Sequence, residues 1–354
     1  MALSKIQNNS FEDAAVHGRR NLVINGAMQV WQRGTTIDSQ TSGGYLCDRW
    51  RVNHAGLDGN VDVDRSTDVP SGQGFAFSQK ISMDASETSL DAGDLLTFQQ
   101  RFEGQDLQHL LKGTSSAKKV TLSFWVKSSV ASTYSVNLKD DDNSRDIGAT
   151  YTINSADTWE YKTITFDGDT SGAFTNDANR SMDINFWMDA GTTYTSGTFL
   201  TSWGALVNSQ RVYDTTGWLE STNPEWYITG VQLEVGDKAT PFEHRSYGEE
   251  LALCQRYFQT VSASNAFGSN SLGTAVQANL PFMTHMRTEP SITLNGTIRY
   301  TDSANNYNST TAPSSTFGDD DGTAINMAGF TSLTRYRPLV MDGTQGHFEM
   351  DSEL

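Results

Sequence analysis

The sequence predicts an all-β protein, because its apolar residues fall in short runs that have the period of strands. Clusters of Ser, Thr, Asn, Asp and Gly separate the runs, and the 354 residues include 30 glycines but only 7 prolines. Residues 120–126 alternate apolar side chains with Thr, Ser and Trp, as a strand with one buried face does. Residues 21–245 contain further runs of this kind and no helical pattern between them, which favours antiparallel sandwiches.

The length is sufficient for two domains, since single cores stop growing near about 250 to 300 residues. Residues 1–20 are polar and predict an extended N-terminal arm. Residues 21–245 predict a jelly-roll-like β-sandwich, and residues 246–258 predict a short helix. Residues 259–354 return to short β-like runs and predict a smaller second β domain. The expected architecture is therefore two β-sandwich domains joined by a helix.

The predicted helix over residues 246–258 begins with a capping box. Ser246 can cap the first turn, and Glu249 follows three residues later, as the motif requires. Its apolar side contains Leu251, Cys254, Tyr257 and Phe258. We expect this side to be buried between the domains.

The charge balance argues against two classes of partner. The chain has 25 Lys and Arg but 42 Asp and Glu, giving a net charge of −17. Nucleic acids and anionic lipid surfaces both require a basic footprint, so we expect neither nucleic-acid binding nor membrane insertion. The first residues lack the order of a signal peptide, and no run of about 18 apolar residues is present.

Motifs for nucleotide binding, serine hydrolysis and zinc proteolysis are absent from the sequence. Six histidines are scattered, and no two have the i, i+4 spacing that places two metal ligands on one helix face. Two cysteines make no disulfide framework, so Cys47 and Cys254 are predicted to be buried thiols. We therefore expect a protein that is not an enzyme and uses no metal or cofactor.

Acidic residues leave one catalytic alternative open. A glycosidase needs two carboxyl groups at a fixed separation across a sugar. Asp48, Glu103, Asp183 and Asp189 are conceivable members of such a pair. The sequence selects no pair among them, and most Asp and Glu side chains in proteins are solvated.

Three acidic runs also invite comparison with calcium loops, at residues 58–64, 139–143 and 318–322. Alternating Asp residues on a turn can supply several of the oxygens that calcium requires. None of the runs fits the 12-residue loop with its terminal Glu, so we expect solvated turns at all three.

Tryptophans provide the clearest functional lead. Of the eight, Trp125 and Trp187 are out of phase with the apolar faces of their strands and are therefore predicted to face outward. An exposed indole is a flat surface on which a pyranose ring can stack. The alternative is that a second sheet, a helix or a neighbouring subunit covers these indoles.

Several segments resemble tail-fibre and related structural proteins of tailed bacteriophages, particularly marine ones. They are residues 1–36, the DRW of 48–50, VTLSFWVKSS at 120–129, and residues 151–172 and 227–259. This resemblance implies a virion protein, made in the host cytoplasm, that acts as a homotrimeric tail or head fibre and attaches to host-surface polysaccharide. Two alternatives are a ligand-free adaptor or decoration protein and a polysaccharide depolymerase.

The sandwich is similar to jelly-roll carbohydrate-binding modules. In them the segment at 21–26 forms the first strand and the segment at 226–234 the last, lying side by side. Gly26 would let the backbone be approached closely. Those modules commonly hold a structural calcium, but here residues 27–29 and Thr229-Gly230 replace the acidic residues of the family pattern, so we expect no inherited calcium site.

The arm contains Ile6, Phe11 and Val16 at a spacing that fits neither a helix nor a strand. An extended peptide can insert a few such side chains into pockets of a partner. The resemblance implies that this partner is another virion protein. A flexible terminus with no partner is the alternative.

Overall fold

A computed structural model describes residues 19–40, 43–87, 89–262, 267–302, 305–335, 338–342 and 346–354. These residues form two compact units, one up to Tyr247 and the other over Gly248–Glu353. Antiparallel strands build both units, which confirms the predicted all-β class. The arm residues Ile6, Phe11 and Val16 lie outside the described residues.

Two antiparallel sheets make up the first unit. Across the six-stranded sheet the order is β1 (Thr36–Gln40), β4 (Val61–Ser66), β5 (Ser78–Met83), β13 (Glu225–Val235), β7 (Val120–Ser128) and β10 (Glu160–Phe166). Across the seven-stranded sheet it is β12 (Gly204–Ala205), β9 (Arg145–Thr152), β8 (Thr133–Asp140), β11 (Arg180–Ala190), β6 (Leu95–Glu103), β3 (Trp50–Ala55) and β2 (Gly44–Tyr45). Short helical turns occur at Gly104–Leu110, Thr192–Thr195 (α1) and Asn208–Gln210.

The core of this unit lies between the two sheets. Phe124 of β7 meets Phe186 of β11 edge to face, with ring centroids 5.0 Å apart. Phe98 of β6 meets Trp226 of β13 in the same way at 5.9 Å. All four rings are fully buried. The apolar alternation of residues 120–126 points into this core, as predicted.

Burial along β13 does not follow a simple alternation of inward and outward residues. A bulge between Thr229 and Gln232 in the pairing with β7 shifts the phase of β13. Trp226 and Ile228 enter the core before the bulge, whereas Val231 and Leu233 enter it afterwards. Gly230, with φ +63°, supplies the backbone conformation that this shift requires.

Residues 21–26 do lie beside β13, but they are not the strand that was predicted. Only isolated bonds join them to it, such as Leu22 N to Leu233 O at 2.9 Å. Asn25 has a left-handed φ of 58°, and its side-chain oxygen accepts from the backbone N–H groups of Gln29 and Val30. The buried Asn25 therefore turns the chain instead of letting it run on as a strand.

The second unit has a three-stranded and a seven-stranded sheet. The smaller has the order β14 (Phe258–Ser262), β23 (Gly346–Asp351) and β17 (Ser291–Gly296). The larger runs β19 (Asn306–Ser309), β18 (Ile298–Thr301), β22 (Pro338–Asp342), β15 (Phe267–Leu272), β16 (Ala275–Pro281), β21 (Gly322–Met327) and β20 (Ser314–Gly318). The second unit has its own core, which includes Val276, Ile298, Ile325 and Phe348.

The helix α2 covers Tyr247–Gln255 and is shorter than the sequence predicts, because Phe258 begins β14. Cys254 is buried, but Leu251 is only half-buried and Glu250 is buried instead. The predicted apolar face is therefore wrong in part. Cys47 and Cys254 are both buried and form no disulfide, as expected. None of the helices in the described ranges has the length and apolar composition needed to span a membrane.

Candidate functional site

A polar groove of about 300 Å³ crosses the outer face of the seven-stranded sheet of the first unit. Because strand side chains alternate, those next to the core residues Phe98 and Phe186 face outward. On β6 and β11 these outward residues include Thr97, Gln99 and Asn185, with exposures of 2%, 4% and 4%. Polar side chains on the outer face of a sheet are ordinarily solvated, so their burial marks a recess in the surface.

Strand register arranges the groove as three rows, each crossing neighbouring strands. They are Asn53–Thr97–Trp187, Arg51–Gln99–Asn185 and Arg101–Asp183–Lys139. Directly opposite residues on paired strands lie about 4.5–5.5 Å apart, so each row is a continuous strip of side chains. The middle row offers amide groups, and the third row is charged.

Trp187 closes one end of the groove and is not the exposed indole that was predicted. Its side chain is 2% exposed, and its Nε1 donates a hydrogen bond to Asn137 Oδ1. The Arg211 guanidinium lies 4.8 Å from the ring centroid, and the Tyr194 ring lies 5.4 Å away. The segment after β11, which carries Tyr194 and Arg211, therefore covers the indole.

Trp125 and Trp187 also do not share a face. Trp125 belongs to β7 in the six-stranded sheet, whereas Trp187 belongs to β11 in the other sheet. Each faces away from the common core. The two indoles thus line separate grooves and do not form one sugar-binding surface.

Asn185 has an unusual environment in the centre of the groove. Its side-chain nitrogen Nδ2 is buried and has no hydrogen-bond partner within the described part of the chain. A buried donor without a partner costs free energy, so native structures normally satisfy it with a protein group, a water or a ligand. The amide therefore has an unused donor among the residues that line the groove.

The charged row is held by ion pairs at one end. Arg180 Nε lies 2.7 Å from Asp183 Oδ1 and 2.7 Å from Asp141 Oδ2. Lys139 also pairs with Asp141. Burial raises the pKa of Asp183, although the Arg180 guanidinium opposes this.

On the opposite wall, Arg101 donates a hydrogen bond to Leu354 O. Arg51 donates a hydrogen bond to Asn53 Oδ1 at 2.7 Å, which is a neutral acceptor. Burial, followed by the positive charges of Arg101 and Arg180, lowers the pKa of Arg51. The guanidinium groups on this wall therefore repel one another.

Trp125 lines an aromatic groove of about 350 Å³ on the six-stranded sheet. Its indole lies 5.3 Å from the Tyr161 ring, which is 45% exposed. Phe75 contacts Phe242 edge to face at 5.1 Å on the other side of the groove. A Cβ at Gly230 would lie 2.5 Å from the Phe75 ring, so this glycine is required for the ring to sit there.

The acidic run at 139–143 is a solvated turn only in part, because residues 141–144 form a turn with Asp142 exposed. Asp140 is fully buried, and Lys112 Nζ lies 2.5 Å from Asp140 Oδ2 and 3.0 Å from Asp169 Oδ2. Arg145 completes this cluster with a two-point contact to Asp169. The protein's own cations therefore neutralise these carboxylates.

In the run at 58–64, residues 61–64 belong to β4 instead of the predicted turn, whereas the run at 318–322 lies at the surface. Asp62 and Asp64 accept hydrogen bonds from Ser39 N and Thr36 Oγ1, which tie β1 to β4. At 318–322, Asp320 and Asp321 flank the exposed His285, with nitrogen to oxygen distances of 2.9 and 2.7 Å. These three side chains could offer ligand atoms to a metal, since the atoms lie within 4.8 Å of one another.

Three of the four carboxylates considered for glycoside hydrolysis are buried and accept hydrogen bonds from neighbouring groups of the protein. Asp48 accepts from Gln32 N and Arg33, and Glu103 accepts from Gln105. Asp189 accepts from backbone N–H groups, including those of Thr216 and Leu219. All three are fully buried. Asp183 is the single carboxylate among the described residues that line the polar groove.

Gln99, Asn185 and Arg211 were not predicted as site residues. The sequence contains a signal for the first two, because polar residues alternate with core residues along β6 and β11. On β11, Asn185 has the same outward phase as Trp187. No local pattern identifies Arg211, which reaches the groove from an irregular segment.

No protein-family model matches the sequence, and no curated protein matches it. Solved structures that resemble it include the enzymatically active domain of tailspike protein 4 of bacteriophage CBA120, with 16% identity over 61% of this chain and a TM-score of 0.32. The match spans only 21% of that tailspike chain. A CBM4 module is 15% identical over 60% of this chain and 98% of its own, with a TM-score of 0.32. TmCBM61, solved with β-1,4-galactotriose, is 11% identical over 61% and 99%, with a TM-score of 0.31.

Proposed function

We propose that the first unit binds a glycan in the polar groove of the seven-stranded sheet. The observation that carries this proposal is the strip of buried polar side chains at its centre, where Asn185 Nδ2 has no partner within the described residues. Glycans present many hydroxyl groups, which both donate and accept hydrogen bonds. Amide side chains such as those of Gln99 and Asn185 can satisfy both kinds of group.

The setting of these amides supports specific recognition. Both lie on central strands, β6 and β11, which are paired on each side, so the backbone holds them in place. Trp187 and Tyr194 provide an aromatic wall beside the amide row. A recess with a few fixed polar groups and an aromatic boundary is typical of a small-molecule or saccharide site.

Glycan arrays of host-surface polysaccharides, followed by isothermal titration calorimetry, test this proposal. Asn185→Ala and Gln99→Ala should each weaken binding by about tenfold or more, since each removes one or more hydrogen bonds from a buried site. Thermal melting of each variant controls for loss of the fold. If the array shows no glycan that these variants bind more weakly, the proposal is wrong.

Trp125 provides a second candidate surface, because its indole and the exposed Tyr161 line a groove where a sugar ring could stack. Trp125→Ala separates the two sites. It should leave binding unchanged if the polar groove is the site, and it should abolish binding if the aromatic groove is the site.

At the level of the particle, we infer that the chain serves a bacteriophage as a tail or head fibre that contributes to host attachment. The segments quoted for the resemblance to phage fibre proteins support this role. A homotrimer would multiply a weak glycan affinity when several sites engage one surface. A ligand-free adaptor or decoration protein is the first alternative, and immunogold labelling of purified particles would place the chain.

We also propose a binding role in preference to a depolymerase. The groove lining has one carboxylate, Asp183, and it pairs with Arg180. Hydrolysis by the common mechanisms uses two carboxyl groups. An assay for new reducing ends on any glycan that binds would overturn this proposal if it detected cleavage that Asp183→Asn abolishes.

A further inference from the structure

The polar groove has a charge opposite to that of the chain as a whole. Lys and Arg are outnumbered by 25 to 42 over the full sequence. Among the described residues that line the groove, however, five side chains are cationic and one is a carboxylate. The cations are Arg51, Arg101, Lys139, Arg180 and Arg211. Such a local excess of positive charge attracts anions, and it persists in an otherwise acidic protein.

Part of this charge is already neutralised, and part is not. Arg180 and Lys139 pair with Asp141, and Arg180 also pairs with Asp183. In the described part of the chain, Arg51 and Arg211 have no carboxylate within salt-bridge distance. Both are half-buried, so they are partly shielded from water while still reachable from the groove.

The positions of these two cations fit a ligand that lies along the amide row. Arg51 is directly opposite Gln99, which in turn is opposite Asn185. Arg211 lies over Trp187, in the neighbouring row. Its Nε is buried without a partner among the described residues. The amide row is thus flanked by two guanidinium groups that have donors to offer.

We propose that the groove selects an acidic saccharide, whose carboxylate or sulfate group is bound by Arg51 and Arg211. The proposal rests on the glycan-binding function proposed above and specifies its ligand. Arginine is suited to this task, because its planar fork donates two parallel hydrogen bonds to a carboxylate or sulfate. Burial lowers the pKa of Arg51, and the positive charges of Arg101 and Arg180 add to this, so an anion bound beside the guanidinium stabilises its charged form.

The test uses the full chain and three polymers as probes: a polyuronate, the same polyuronate after chemical reduction of its carboxyl groups, and a sulfated neutral polysaccharide. The proposal predicts that the polyuronate or the sulfated polymer binds at least about tenfold more tightly than the reduced polymer. Binding should also weaken as salt rises from about 0.05 to 0.5 M, since salt screens the attraction. Preference for the polyuronate identifies a carboxylate ligand, and preference for the sulfated polymer identifies a sulfate ligand.

Variants connect the preference to the groove. Arg51→Gln and Arg211→Gln together should weaken binding of the acidic polymer by about tenfold or more, because each removes a charge-assisted contact. Lys118→Gln and Lys238→Gln together remove the same two charges at exposed positions outside the groove and should have no effect. Equal binding of the acidic and reduced polymers would overturn the inference while the glycan function stands. If no polymer and no array glycan binds, the proposed function itself fails.

Discussion

Gly26 lies so close to β13 that a Cβ atom at position 26 would be 2.1 Å from the carbonyl oxygen of Val231. The contact joins the start of the sandwich to its last strand, where Val231 N also donates to Gly26 O at 2.9 Å. Two backbones therefore meet without room for a side chain. This is the close approach that the sequence predicts for Gly26.

Gly26→Ala should destabilise the first unit by several kcal/mol, on the order of 3, because neither backbone can move away without losing hydrogen bonds. Gly93 is a matched control, since a Cβ there meets no atom within 4 Å. Chemical denaturation of both variants measures the difference. Equal stabilities for Gly26→Ala and Gly93→Ala would contradict the packing described for residues 21–26.

Lys112 should contribute more to stability than any exposed lysine. Its side chain is 4% exposed and lies between Asp140 and Asp169, so Lys112→Met would leave the buried Asp140 without a cation, while Asp169 keeps Arg145. We expect a loss of about 3 to 5 kcal/mol in the free energy of unfolding. Lys119, which pairs with Asp167 at the surface, is the control, and Lys119→Met should have little effect on stability. Similar losses for both would refute the buried ionic cluster.

Asp146 should make stability depend on pH. Burial raises its pKa to about 7, although Arg211 and Lys139 oppose the rise. Between about pH 4 and 7 the folded state keeps a proton that the unfolded state releases, so this group's contribution to stability falls as the pH rises through that range. Asp146→Asn should thus stabilise the protein at pH 8, by on the order of 1 to 4 kcal/mol, and have little effect at pH 4. An equal effect at both pH values would exclude this origin.

Deletion of residues 1–18 tests the proposed docking arm, which contains Ile6, Phe11 and Val16. The truncated chain should remain folded, because it keeps the contacts of the described residues, such as that of the Arg20 guanidinium, which donates to Thr240 Oγ1 at 2.8 Å. It should be missing from assembled particles, as quantified by mass spectrometry of purified virions. Normal incorporation of the truncated chain into virions would show that the arm is not needed for assembly.

Sequence patterns predicted the parts of the fold that depend on local alternation. Residues 120–126 identify β7 correctly, because one face of that strand is buried along its whole length. The pattern fails at β13, where a bulge at Gly230 changes the phase, and at Asn25, whose side chain turns the backbone. Both failures have the same cause, since a single special backbone conformation overrides the period.

The polar groove could not be predicted from local sequence patterns, for a different reason. Gln99 and Asn185 are distant along the chain and become neighbours only through the pairing of β6 with β11. The sequence predicted that Trp187 faces outward from its strand. It did not predict that Arg211 lies over the indole, because Arg211 belongs to an irregular segment. Strand register and the path of loops therefore decide the site.

The most direct test of glycan binding in the polar groove is the indole N–H resonance of Trp187 in a two-dimensional nitrogen–proton spectrum. Trp187 lines the groove and its Nε1 donates to Asn137, so a bound glycan should shift this signal. The signal of Trp125, on the opposite sheet, should stay in place. A ligand that moves the Trp125 signal and leaves that of Trp187 unchanged would contradict the account.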